Sequence, residues 1–379
     1  MKKLILSMLA IAALTFTSCS DDDSKKSEDT TVIDPANFKG QLVAGEAATL
    51  DAGTEYNLTG SFVVRDGATL TIPAGTVIKA TGGTSAYIAV AQGGKIFVNG
   101  TATNPVVMTS AKASPAAGDW GGVVICGKAN TNKGGATGQT ATAEVSDLTY
   151  GGTVANDNSG SIRYLRIEYT GAAFTNEKEF NGLSLFGVGS GTTVEYVQSF
   201  EGGDDGIEFF GGTVNGKYLV ATGSQDDSID FADGWSGTGE FWYIEGVAKA
   251  GIEGSNNGDN GAALPTTTAT LKNISIVKGD GAGSEGGLFI KEGGGKWTAD
   301  NIYVSGFATG INIKNVTGDP VANAHVAAGE IKFTNTQFVG VTANTNYEGT
   351  TPGFIGVATA TGAGNGAAVP TWTAGWTRF

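Results

Sequence analysis

Between Val194 and Trp235 the chain repeats itself. The run from Val194 through Asp204-Asp205-Gly-Ile207-Glu208-Phe209 is followed, 22 residues on, by one ending Asp226-Asp227-Ser-Ile229-Asp230-Phe231. A period that short holds two runs of alternating apolar residues broken by Gly and Asp, which reads as two strands and their turns with no room for a helix. Such a unit cannot bury its own apolar face, so successive copies must stack as coils of a β-solenoid.

The same grammar extends through most of the chain. Leu70 and Ile72 return as Ile96 and Val98, displaced by 26 residues. One strand recurs at Tyr164-Leu165, Tyr196-Val197, Tyr218-Leu219, Phe241-Trp242, Asn273-Ile274 and Asn301-Ile302. A second recurs at Leu183-Ser-Leu185, Ile207-Glu-Phe209, Ile229-Asp-Phe231, Ile252-Glu253, Leu288-Phe-Ile290 and Ile311-Asn-Ile313. The 61 glycines supply the corners. The reading is an all-β, parallel β-helix of about 22–26 residues per coil. Tyr164, Tyr196, Tyr218 and Phe241 are expected to form a structural aromatic ladder, and Trp120 to pack beneath a corner. Residues 128–160 lose the alternation and are expected to lie as a long loop on the outer surface. Residues 346–379, aromatic and non-repeating, read as a C-terminal cap that seals the last open rung.

The N-terminus carries a different message. Lys2-Lys3, the apolar run Leu4 to Phe16 and then Thr17-Ser18-Cys19 have the charge, short greasy core and small residues of a secretory signal over residues 1–18. A cysteine directly after such residues resembles a lipobox and makes Cys19 the expected lipid attachment. Residues 19–38, opening with Ser20-Asp-Asp-Asp23, read as a disordered acidic tether, leaving 39–379 as a single β-helix domain. Cys126, in Val-Val-Ile-Cys-Gly, reads as a small core residue. The net charge of −14 excludes nucleic acid as a partner. The expected address is the outer membrane, lipid-anchored and facing the exterior.

Period-two geometry then places a site. If Leu and Ile of the second strand point inward, then Ser184, Glu208, Asp230, Glu253, Phe289 and Asn312 point outward, one above another at about 4.8 Å. Three adjacent carboxylates at that spacing repel, and each pKa should rise unless a cation or base compensates. Asp204, Asp205, Asp226 and Asp227 sit at the preceding corners. With Asp230 they form an oxygen-rich group suited to Ca²⁺, which takes six to eight such ligands. The alternative is that the corner aspartates merely close turns. Arg166, outward on the first strand, is expected near the face, so Arg166, Glu208, Asp230, Glu253 and Phe289 are the candidate ligand-binding residues.

Gly151-Gly152, Asn156-Asp-Asn-Ser-Gly160, Arg163-Tyr-Leu-Arg-Ile-Glu-Tyr-Thr-Gly171, Gly189-Ser-Gly-Thr-Thr-Val-Glu-Tyr-Val-Gln198 and Phe209-Phe-Gly-Gly-Thr-Val-Asn215 resemble a Bacteroidota family of secreted or lipid-anchored right-handed parallel β-helix proteins. That resemblance implies the handedness but no catalytic residues. Members often bear a transporter name, yet one short apolar segment and a solenoid provide no transport path. The Asp-Asp-Gly-Ile and Asp-Asp-Ser-Ile corners also resemble glycoside hydrolases of the polygalacturonase type, although the histidine-bearing loop is missing and the only histidine is His325. A lyase would need an arginine or lysine base beside Ca²⁺, for which Arg166 or Lys217 could serve. The leading expectation is a non-catalytic surface protein that binds a glycan or another surface protein. The alternatives are a Ca²⁺-assisted polysaccharide lyase or hydrolase, and an accessory subunit of an outer-membrane complex.

Overall fold

The computed structural model describes residues 29–379 apart from 135–138, 145, 176–177, 314–316 and 350–352. The signal segment and Cys19 therefore lie outside the described residues. The strands stack in parallel as the repeat requires: Thr193–Phe200 lies on Asn215–Thr222 and Ile207–Phe210 on Ile229–Ala232, in the register that pairs each residue with the one 22 positions later. The chain is a parallel β-helix.

Each coil has three sides. The long strand, seen at Gly160–Glu168, Thr193–Phe200, Asn215–Thr222, Thr238–Glu245, Thr268–Val277, Lys296–Ser305 and Ile331–Val339, is bent into two of them. The bend falls on a residue in the left-handed region: Tyr164, Tyr196, Tyr218, Phe241, Asn273, Asn301 and Asn335 all have φ between 48° and 58°. In the first coils the same two sides are built by separate strands, Lys95–Asn99 and Val106–Ser110, which pair with the two halves of Gly160–Glu168. The short second strand forms the third side, from Phe38–Leu42 through Trp120–Cys126 and Leu183–Phe186 to Ala343–Thr345.

Left-handed backbone costs an L-residue roughly 1–2 kcal/mol. The bend column offsets it by contact with itself. Tyr164, Tyr196, Tyr218 and Phe241 stack with centroids 4.3, 4.5 and 5.0 Å apart and planes within 10°, each pair contributing about 0.5–1.5 kcal/mol. Where the aromatics stop, asparagine, which tolerates this backbone, takes over, and Asn301 Nδ2 donates to Asn273 Oδ1 at 2.8 Å. The neighbouring outward column alternates in sign: Arg163, Glu195, Lys217, Glu240, Lys272 and Asp300 follow one another in register. Arg163 pairs with Glu195, and Lys217 with Glu240 at 2.8 Å.

Inside, the alternation delivers Leu183, Ile207, Ile229, Ile252, Leu288 and Ile311 to one continuous core. In the middle coils large rings fill it, and glycine makes the room: a Cβ on Gly254 would lie 2.1 Å from Trp297, and one on Gly239 2.4 Å from Trp242. Trp120 is buried, with its indole nitrogen donating to the Glu168 carbonyl. Cys126 is buried as expected. The one α-helix among the described residues, Pro320–Ala327, is capped by Asp319 and seats Ala322 and Val326 against the core.

Three expectations about the non-repeating segments need correction. The ordered chain begins before residue 39: Asp29–Thr30 pairs with Glu46–Ala47, and Phe38 is fully buried. The described part of residues 128–160 does lie on the outer face of the coils, but not as a bare loop. Ala141–Thr142 and Thr149–Tyr150 form a hairpin, and Ala143, Leu148 and Tyr150 are buried against Val63, Ala89, Val124, Phe186 and Phe210 on the third side. The C-terminal region is only in part a cap. Phe354 joins the core and Ile355–Val357 pairs onto the last long strand, but residues 360–379 turn back and run along the bend column toward the first coils. Thr361 accepts from and donates to Asn301, Ala363 and Gly366 engage Ser275, and Tyr243 donates to the Ala367 carbonyl. Trp372 meets the Tyr218 ring at 5.2 Å, and Trp376 meets Tyr164 and Tyr196 edge-on at 5.9 and 6.0 Å. Arg378 exchanges two hydrogen bonds with Gln198 and lies over the Phe200 ring.

The non-repeating tail thus closes the molecule lengthwise. Trp376 is fully buried, so Trp376→Ala is expected to cost about 3–5 kcal/mol in denaturant titration, and removal of residues 360–379 more. Unchanged stability in both variants would show that the tail merely rests on the surface.

Candidate functional site

The third side carries one outward column from end to end. In register it reads Val63, Ala89, Val124, Ser184, Glu208, Asp230, Glu253, Phe289 and Asn312. Its first members are apolar and the hairpin of residues 141–150 covers them. Then the column turns acidic. The expected alignment of Glu208, Asp230 and Glu253 is what the structure has, but not their exposure: they keep 8, 7 and 4 % of their surface.

Cover comes from excursions that leave this side. Asn181, at the end of the excursion after Thr170, donates from Nδ2 to Glu208 Oε2 at 2.5 Å. Lys291, on the strand above, reaches Glu253 Oε1 at 2.7 Å. The 128–160 segment crosses several coils: Thr131 donates to the Asp233 carbonyl, and Asn132 Nδ2 donates to Asn256 and to the Pro265 carbonyl. Asn257 donates in turn to Asn132 Oδ1.

The corner aspartates divide between turn chemistry and the cluster. Asp205 Oδ1 accepts the Asp227 amide at 2.9 Å, and Asp227 Oδ1 accepts the Ala250 amide at 2.6 Å. These are the expected turn bonds, running from each coil to the next. Even so, three sets of carboxylates converge closely enough to share an ion: Asp204, Asp205 and Asp226; Asp205, Glu208 and Asp230; Asp227, Glu253 and Glu285. The five expected metal-binding aspartates therefore do not form one site. Glu208, Glu253 and Glu285 belong to the clusters as much as they do, and Glu285 was not legible because it lies in a loop outside the repeat.

Burial dominates the electrostatics. Asp205, Glu208, Asp227 and Asp230 are all pushed well above the usual carboxylate range, first by loss of water and then by neighbouring carboxylates, Glu208 for Asp205, Asp230 for Glu208, and Glu253 for Asp227 and Asp230. Asp204 rises to about 7, by burial and the Asp226 charge. Asp233, buried beside the Tyr150 hydroxyl, rises to about 6. Repulsion along the column was the expected cause; desolvation by the covering segments is the larger one. Among the lysines the site uses, Lys291 is raised by Glu253 and Lys249 by Asp226, its partner at 2.6 Å.

Arg166 and Lys217 are elsewhere. Arg166 lies on the second side, bound to Glu168 and the Trp376 carbonyl, and Lys217 sits in the alternating charge column. The bases beside the acids are Lys249 and Lys291. Phe289 follows Glu253 in register but is buried and lies under the Lys291 ammonium, so it offers no open platform. Next to the buried column a pocket of ≈ 390 Å³ remains open, lined by Glu144, Glu179, Asp204, Gln225, Asp226 and Lys249. It can accept hydrogen bonds at four carboxylates and donate from one ammonium and one amide.

Parallel stacking of three-sided coils, with carboxylates gathered on one strand face, defines the class by its architecture as a parallel β-helix protein. The chain belongs to the pectate-lyase-like β-helix domain family, whose model matches residues 41–377. No curated protein and no solved structure matches it.

The raised carboxylates set the pH response. Between about pH 4 and their folded-state values the native protein holds protons that the unfolded chain has released, so stability falls as pH rises through 6 to 7. In chelator, the melting temperature at pH 5 is expected to exceed that at pH 8 by on the order of 5 °C. Asp204→Asn should flatten the profile, and a melting temperature that rises with pH would contradict the assignment.

Proposed function

We propose that this is a lipid-anchored cell-surface protein that binds an uncharged glycan in the pocket beside the acidic column. The observation that carries the reading is the pocket itself: Asp204, Asp226, Glu144 and Glu179 present carboxylates at an open mouth on the third side of the helix. Carboxylates accept bonds from sugar hydroxyls in pairs, and Lys249 and Gln225 supply donors. The same negative charge disfavours a polyanionic chain. The pectate-lyase-like fold supports a polysaccharide-related role. The lipobox-like Thr17-Ser18-Cys19 and the acidic run behind it support the address.

Binding is favoured over cleavage because the ammonium at the pocket, Lys249, is ion-paired with Asp226 at 2.6 Å and raised by it, so it serves as a donor to a ligand. His325 is engaged by Glu330 at 2.6 Å, on the helix that closes the late coils. One observation supports a hydrolytic alternative: Asp204, raised to about 7, can hold a proton at neutral pH, as a general acid must.

Against a panel of neutral polysaccharides, the wild type is expected to be retarded by at least one in affinity electrophoresis. Asp204→Asn combined with Asp226→Asn should weaken that retention at least tenfold. Retention by none of the panel would overturn the proposal, and new reducing ends on incubation would replace it with hydrolysis. For the anchor, labelled palmitate should enter the wild type and not Cys19→Ala; equal labelling of both would remove Cys19 from the account.

A further inference from the structure

The third side confronts the fold with a deficit of positive charge. Asp205, Glu208, Asp227, Asp230 and Glu253 are each at least nine-tenths buried, and within that group the ion pair is the one that Lys291 makes with Glu253. Asn181 supplies a neutral donor to Glu208, and backbone amides satisfy one oxygen each on Asp205 and Asp227. Asp230 stands between Glu208 and Glu253 in register, and its Oδ1 is fully buried with no hydrogen-bond partner. A carboxylate oxygen removed from water with no partner is destabilising unless something compensates it.

We propose that a calcium ion sits between Asp205, Glu208 and Asp230 and ties successive coils together. One carboxylate oxygen from each of the three lies within 4.8 Å of the other two. Ligands around one Ca²⁺ at about 2.3–2.6 Å stand no further apart than roughly 5 Å, and Ca²⁺ accepts oxygen donors in looser geometry than Mg²⁺ does. The donors are all oxygen, which disfavours zinc and copper. The orphaned Asp230 Oδ1 is the second observation that points to a ligand, because Asp230 belongs to the trio and this buried oxygen has no hydrogen-bond partner. All three residues are buried, so the ion is structural and separate from the glycan reading. It serves the stack by neutralising two coils, with Asp205 and Glu208 on one and Asp230 on the next.

The experiment uses the purified mature protein at pH 7.5. Metal content by mass spectrometry is expected to show bound calcium, and exhaustive chelation should lower the melting temperature by about 5 °C or more, restored by CaCl₂ and less well by MgCl₂. Glu208→Gln and Asp230→Asn should each lose the calcium-dependent shift. Asp226→Asn, outside the trio, should keep it. If chelation leaves the melting temperature unchanged while Glu208→Gln and Asp230→Asn raise it, protons and not an ion compensate the cluster, and the proposal is wrong. If the shift survives both trio variants but not Asp226→Asn, the ion lies at the pocket mouth and the proposal is equally overturned.

Discussion

Parallel stacking in register governs this molecule. Each side chain has its equivalent one strand above and one below, about 4.8 Å away, so every column must tolerate its own company. Aliphatic columns do so in the core. Tyrosines and a phenylalanine do so at the bend by stacking, and asparagines by donating to one another. A charged column survives by alternating sign, as from Arg163 to Asp300. Each solution is visible as a type of residue repeated at the coil period, and together they explain how a chain with so many corners specifies a single register.

Glu208, Asp230 and Glu253 break that rule. They set like charge on like charge, and the chain then buries them beneath Asn181, Lys291 and the long excursion that reaches Asn132. Natural sequences accept such conflicts where a site requires them. The open acids at Asp204 and Asp226 adjoin the buried ones through Asp205, so the pocket that faces solvent and the cluster that does not are supported by the same two corners. The pocket and the cohesion of the coils are therefore physically coupled on this side.

The repeating part of the structure was readable from residues alone. The inward and outward parity of Leu183-Ser184-Leu185, the alignment of Ser184 through Asn312, and the aromatic ladder all follow from a period of two within a longer period. What could not be read belongs to segments without a repeat. Nothing in Thr131-Asn132 announces partners at Asp233 and Asn256, more than a hundred residues away. Trp372 and Trp376 looked like a lid over the last rung because aromatic residues at a chain end usually are, and no local pattern says that they lie on Tyr218 and Tyr164 instead. Arg166 was assigned to the wrong side because the left-handed turn at Tyr164 rotates everything after it onto another face. The alternating charges beside that ladder were legible and are simple to find once the bend is known.

The returning tail has a consequence for the size of the protein. Solenoids ordinarily grow or shrink by whole units, and their ends loosen independently. Here Thr361 is fastened to Asn301 and Trp376 to Tyr164, with attachment points on the coils between. Adding or deleting one turn would slide every later anchor out of step with its seat. The last twenty residues act as a ruler, holding this architecture to a fixed number of turns.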